Sequence, residues 1–301
     1  MRLKDGVTIR YENNSLLINK GTIEYQIKDP HKFYYNIVMQ ESYSDIPKDV
    51  YDFLYSNGLI CKDYDNKQTA PYLERNLYFW EAISDTSNIN PVNLQEKISR
   101  KTVTIIGCGG IGTVVIDNLQ RMGIKKLILI DFDKVEESNL NRQIIFDETD
   151  IGKSKEEVVA DKVFKEVQVQ YINKKIVCES DLDIKRLQDT DIIVNCADTP
   201  KNINHIIGSF CLKNEIPFIS GRVGIETGEW GPIYDSQNTY EFLKENHFEN
   251  KIKGSLAPTN SIVGCFVAYD IILYLTQDVF KYPLYKRKII NFKNLNIEVE
   301  E

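Results

Sequence analysis

The sequence predicts an α/β fold, a doubly wound and mostly parallel Rossmann-like sheet, preceded by a small winged-helix-like module. Three observations predict it. From Arg100 onward, short apolar strands alternate with helix-patterned segments, and that alternation builds a parallel sheet covered on both faces. A glycine run from Gly107 to Gly112 follows the first of these strands and opens a helix. Between Gly6 and about Lys62 the texture differs, with short strand-like pieces followed by helix-like ones.

In order, Val7 to Tyr11, Ser15 to Asn19 and Gly21 to Ile27 read as strands separated by polar turns. Pro30 to Gln40 and Ile46 to Ser56 read as helices, the first entered through Asp29-Pro30 and the second closed by Asn57-Gly58. Asp63 to Ala70 is polar and reads as a linker. In the second half, Thr102 to Ile106 is a buried strand, and Ile111, Val114, Val115, Leu119 and Met122 mark a helix ended by Gly123. Leu127 to Ile130 is the next strand, followed by a helix from about Ser154 to Val167. Strands at Lys175 to Val177 and Ile192 to Asn195, a helix near Asn202 to Lys213 and a strand at Phe218 to Ser220 complete the pattern.

The chain has 301 residues, 42% of them apolar, enough for one Rossmann-sized domain and a small partner. Its net charge of −7 argues against a nucleic-acid partner, because phosphate binding needs a basic face. The start, Met1 to Asn14, is polar, and the most apolar stretch, Ser261 to Leu275, is broken by Asp270 and short for a bilayer. No membrane association is expected. The six cysteines are scattered, without a pair spaced like a metal or redox motif, so a cytoplasmic protein with reduced thiols and no zinc is expected.

The chemistry concentrates behind the glycine run. Gly107, Gly109 and Gly112 match G-x-G-x-x-G, with Gly110 inside the loop. Such a loop turns tightly, admits a phosphate to the backbone and sets it on a helix N-terminus. Asp131 closes the next strand, about 20 residues on, where a carboxylate accepts from ribose hydroxyls. That much would also suit a nicotinamide dinucleotide. The residues after it favour ATP: Asp133, Asn139, Arg142, Gln143 and Lys155, then Asp198 behind the next apolar strand. Attack on an α-phosphate develops charge on phosphorus and on departing pyrophosphate, which arginine, lysine and magnesium stabilise. Asp198, at a strand's carboxyl end, is the candidate magnesium ligand. Gly152-Lys153-Ser154 is no Walker motif, since position 147 is aspartate where glycine is required.

The run "IIGCGGIG…LILIDFDKVEESNLNRQIIF…IGKSKEEV…NCADTP" resembles the ThiF-like, ubiquitin-activating-type family. That adenylation domain is shared by ubiquitin-activating enzymes and the bacterial adenylating enzymes of molybdopterin and thiamine biosynthesis. The resemblance spans roughly Arg100 to Pro232. Glu74-Arg75-Asn76, "NPVNLQEKI", "GPIY" and "LAPTNS" make the chain most similar to the microcin-type, peptide-adenylating branch.

The resemblance implies ATP and magnesium as cofactors, with Asp131 on the ribose and Asn139, Arg142 and Lys155 around the phosphates. It places Asp198 on magnesium and has Arg75 reach the γ-phosphate of a neighbouring subunit in a homodimer. Asp133 is open between a ligand contact and a turn-forming hydrogen bond. The implied organisation is a peptide-recognition module over residues 1–68, a linker with the trans arginine over 69–100, and the adenylation domain over 101–301. An edge strand such as Gly21 to Ile27 would then add a peptide as an extra strand, the alternative being that the module only supports the dimer.

Two departures from the family matter. The paired C-x-x-C motifs that hold zinc in many relatives are missing, and the segment from Asp235 to Gly254, expected to cross the substrate carboxyl, contains no cysteine. A thioester or persulfide step is therefore not expected. Cys108, Cys196 and Cys211 read as packing residues. The expected activity is adenylation of a ribosomal peptide's C-terminal carboxyl, or of a group derived from a terminal amide, with release of pyrophosphate. Adenylation of a ubiquitin-like sulfur-carrier protein and a non-catalytic peptide scaffold with a vestigial nucleotide site are the alternatives.

Overall fold

In the computed structural model the described residues are 1–301 except 184, 237, 239–253, 277, 278, 280 and 301. The chain divides into two compact units, Met1–Lys97 with Thr276–Lys281, and Ile98–Leu275 with Tyr282–Glu301.

In the first unit β1 (Arg2–Leu3) pairs with β5 (Ile60–Cys61), and β2 (Val7–Glu12), β3 (Ser15–Lys20) and β4 (Ile23–Lys28) form an antiparallel meander. Asn13 and Asn14 turn the first hairpin with φ of 49° and 56°, the left-handed pair that suits a two-residue turn between twisted strands. Helices α1 (Phe33–Met39) and α2 (Lys48–Ser56) bury Ile37, Val38, Val50 and Leu54 in one core with Leu16 and Ile18 of β3. The Asp29 carboxylate accepts the Phe33 and Tyr35 N–H groups, so α1 begins later than Pro30. Residues 69–100 hold α3 (Glu74–Ile83) and α4 (Pro91–Ser99).

The second unit carries the expected doubly wound sheet. Its strands are β6 (Thr102–Ile106), β7 (Lys126–Asp131), β8 (Gln168–Asn173), β9 (Ile192–Asn195) and β10 (Phe218–Val223), continued by β11 (Thr227–Trp230), β12 (Lys288–Asn291) and β13 (Ile297–Val299). The order is β13-β12-β11-β10-β9-β6-β7-β8, parallel from β8 to β10 and antiparallel beyond. Helices α5 (Gly110–Arg121), α6 (Lys155–Lys162), α7 (Ile203–Asn214) and α8 (Ala257–Thr276) complete it.

Two expectations are corrected. The strand placed at Lys175 to Val177 lies at Gln168–Asn173, and the helix before it stops at Lys162. As the edge of the sheet, β8 is largely exposed, and its polar QVQYIN sequence hides it from an apolar-run reading. The apolar stretch from Ser261 is part of a helix of 20 residues, long and apolar enough to span a bilayer by length and composition, with 67% of that window buried inside the protein. Its Asp270 is fully buried and bonds Lys288 of β12 at 2.7 Å.

Candidate active site

Between β6 and β9 the winding of the sheet reverses, and doubly wound sheets bind ligands at the carboxyl ends of strands at that point. The glycine loop leaves β6, and the segment carrying Asp198 leaves the adjacent β9. Gly107 has φ of +96°, and a Cβ there would lie 2.7 Å from the Ala197 nitrogen, so only glycine lets the two segments touch. A Cβ on Gly112 would lie 2.0 Å from the Gly107 carbonyl oxygen, which fixes the close packing of α5 on its own entry loop. The first N–H groups of α5 have no partner within the helix and favour an anion.

Asp131, the last residue of β7, is buried. One carboxylate oxygen accepts the Cys108 N–H at 2.6 Å. The other accepts the N–H groups of Phe132 and Asp133 at 2.7 and 2.8 Å. These bonds tie the strand end to the glycine loop and leave one lone pair, on the oxygen that takes the Cys108 N–H, for a further donor. Asp133 is half-exposed and its Oδ2 accepts from Lys155 Nζ at 3.2 Å, while its carbonyl takes the Lys155 N–H. Lys155 is itself buried at the start of α6.

Asn139, Arg142 and Gln143 lie on the strip between β7 and α6. Asn139 is buried in a capping box, its Oδ1 accepting the Glu136 N–H. Arg142 donates to the Ser138 carbonyl at 2.9 Å and to Asn141 Oδ1 at 2.8 Å. Gln143 is buried, its Nε2 3.8 Å from where a Gly109 Cβ would stand and its Oε1 without a hydrogen-bond partner among the described residues. Asp198 is exposed and, among the described residues, accepts only from Thr199 Oγ1 at 3.2 Å. Arg75 stands in the other unit, exposed on the first turn of α3. Among the described residues no cluster of three or more acidic, histidine or cysteine side chains could hold a metal alone. A magnesium ion here would be held by one carboxylate and by substrate phosphates, a donor set that suits it.

Burial, with the Asp131 carboxylate beside it, pushes the Cys108 thiol well above its ordinary range. Burial alone lifts Cys196 to about 12 and raises Cys211 further. Thiols held protonated are poor nucleophiles. The segment from Asp235 to Gly254, expected to cross the substrate carboxyl, lies for the most part outside the described residues.

Several side chains near these groups were not singled out in the sequence. Glu156 is buried beside Lys155, one oxygen bonded to Asn173 Nδ2 at 2.7 Å and the other without a partner among the described residues. Asn141 donates to the Ser255 carbonyl at 3.1 Å, and Asn260 packs its Oδ1 against Gly110. The "LAPTNS" run contains Asn260, but its spacing marks no fold on its own.

Residues 74–301 match the ThiF family. The molybdopterin-synthase adenylyltransferase of Haemophilus influenzae is 29% identical over 187 residues, 59% of this chain and 76% of that protein. The adenylyltransferase and sulfurtransferase MOCS3 of Xenopus laevis is 32% identical over 148 residues, 46% of this chain but only 33% of that protein. Among solved structures, Escherichia coli MccB with AMPCPP and selenomethionyl MccA superposes with a TM-score of 0.80 at 26% identity, covering 100% of this chain and 96% of that one. MccB with ATP gives 0.79 over the same coverage.

Proposed function

The chain belongs to the ThiF family of ATP-dependent adenylyltransferases, and from that premise we propose that it adenylates the C-terminal carboxyl group of a ribosomally made peptide during natural-product maturation. A terminal amide-derived group is the variant substrate. One observation carries the choice of a peptide: the likeness to MccB, crystallised with MccA, extends over 100% of this chain, first unit included. The carrier-protein relatives align with 46% and 59% of it.

In this reading ATP lies across the switch point with its phosphates on the N-terminus of α5. Gly107, Gly109, Gly110 and Gly112 line the phosphates, Asp131 holds the ribose, and Asp133 releases Lys155 to them. Arg142 and Lys155 neutralise the charge that builds on phosphorus and on the leaving pyrophosphate, and Asn139 and Gln143 contact the nucleotide through their neutral amides. Asp198 would hold magnesium, which supplies further charge stabilisation there. A carboxylate is already an anion at neutral pH, so the step needs no general base. Arg75 completes a neighbouring protomer's site in a homodimer, and the first unit grips the peptide by its edge strand. Six free cysteines agree with a cytoplasmic enzyme.

Sulfur-carrier adenylation remains the second reading, favoured by the 76% coverage of the Haemophilus enzyme. Exchange of labelled pyrophosphate into ATP separates the two. A peptide with a free C-terminus should support exchange and its C-terminal amide should not, unless the terminal side chain reacts. Exchange supported only by a folded carrier protein would replace the peptide reading.

A further inference from the structure

Asn260 stands in the first turn of α8, nine-tenths buried, with a relative exposure of 6%. Its Nδ2 donates to Ser255 Oγ at 2.8 Å and to the Leu256 carbonyl at 2.7 Å. A carbonyl can only accept, so the amide orientation is fixed and Oδ1 points the other way. That oxygen makes no hydrogen bond among the described residues. It lies against Gly110, the first residue of α5, 2.4 Å from where a Cβ would stand. The preceding loop is tied to the strip that carries Arg142 by the Asn141–Ser255 bond. On its outer side Leu256 is exposed, and Gly254 lies against the exposed Ile225.

Oδ1 is an open acceptor at the start of α5, free to take a donor from a ligand. Neither a phosphate nor a carboxylate oxygen is one, since each would meet Oδ1 as acceptor against acceptor. The donor nearest to a peptide's terminal carboxylate is the N–H of its last residue, one Cα away.

Resting on the peptide-adenylation reading, we propose that Asn260 Oδ1 accepts the last peptide N–H of the substrate and so orients the terminal carboxylate towards the α-phosphate. The substrate enters as extended chain past Ile225 and Leu256. Gly110 is required because any side chain there would fill the place of that contact.

The probe is a pool of short synthetic peptides, randomised at every position and ending in a free carboxyl. A matching pool has its last amide replaced by an ester, which removes the N–H with little change in shape. Pyrophosphate exchange by the wild-type protein should fall roughly 2- to 10-fold on the ester pool, the effect of losing one hydrogen bond to an acceptor that water can otherwise reach. Asn260→Ala should lose a similar factor on the amide pool and lose little more on the ester pool, while binding ATP within about twofold of wild type by calorimetry. Equal exchange on both pools by wild type would overturn the inference, and that comparison needs no variant to fold. So would an Asn260→Ala protein that still discriminates between them. Exchange on neither pool would bring down the peptide reading and the inference with it.

Discussion

The Asp131 carboxylate, at the last position of β7, clasps the glycine loop by taking the Cys108 N–H at 2.6 Å. Asp131→Asn keeps the shape but turns one acceptor oxygen into a donor, so a buried backbone N–H loses its partner. The expected destabilisation is about 1–3 kcal/mol in a denaturant titration. ATP affinity should fall as well. A variant as stable as wild type would show that the clasp contributes nothing to the loop.

Lys155 bonds Asp133 at 3.2 Å, but Asp133 is half-exposed, so the pair itself adds at most about 1 kcal/mol. Lys155→Met keeps the buried stem and removes the charge. The melting temperature should barely move while turnover drops roughly 10²-fold. Equal losses in both would make Lys155 a structural residue.

Arg75 is exposed on α3 and bonds to nothing among the described residues. If it serves a neighbouring protomer, mixing Arg75→Ala with Asp198→Ala chains should restore activity, because one hybrid site keeps both residues. With subunit exchange verified, no recovery would assign Arg75 to its own chain or to no catalytic role.

Where the buried strands are apolar on both faces, as in Thr102–Ile106 and Ile192–Asn195, the sequence reading and the structure agree to the residue. It failed at β8, whose polar edge position erases the apolar run. It also overlooked β11 to β13, short strands that depend on antiparallel pairing with β10 rather than on a local pattern. The glycine loop follows β6 and Asp131 closes β7, as the sequence reading had them, because both sit at the ends of strands with a clear apolar pattern. The packing of Asn260 against Gly110 was not legible, because the two lie 150 residues apart in sequence.

Lys4 is buried, and its Nζ donates to the Ser84 and Thr86 carbonyls. Burial, with Lys20 nearby, lowers its amine to about 8 from 10.5. The neutral amine still has hydrogens for both carbonyls. Between those two values the unfolded chain holds a proton that the folded chain lacks, so this group makes stability rise with pH across that window. Raised tyrosines such as Tyr43, lifted to about 12 by burial, act oppositely above pH 10. The comparison that isolates Lys4 is wild type against Lys4→Met, by denaturant titration from pH 7 to 10. The wild-type curve should rise relative to that of the variant, and parallel curves would refute the shift.

The central claim is attack of a carboxylate on the α-phosphate of ATP, with pyrophosphate as the leaving group. Binding holds the two reactants together, and positioning of this kind is worth about 7 kcal/mol or more in favourable cases. The direct measurement is the fate of ATP labelled separately at the α- and γ-phosphates in the presence of protein, magnesium and a substrate peptide. The account predicts α-label joined to the peptide as an acyl-adenylate or its descendant, and γ-label recovered only in pyrophosphate. Release of γ-label as orthophosphate, with the α-label left in ADP, would contradict it and identify an acyl-phosphate enzyme built on the same fold.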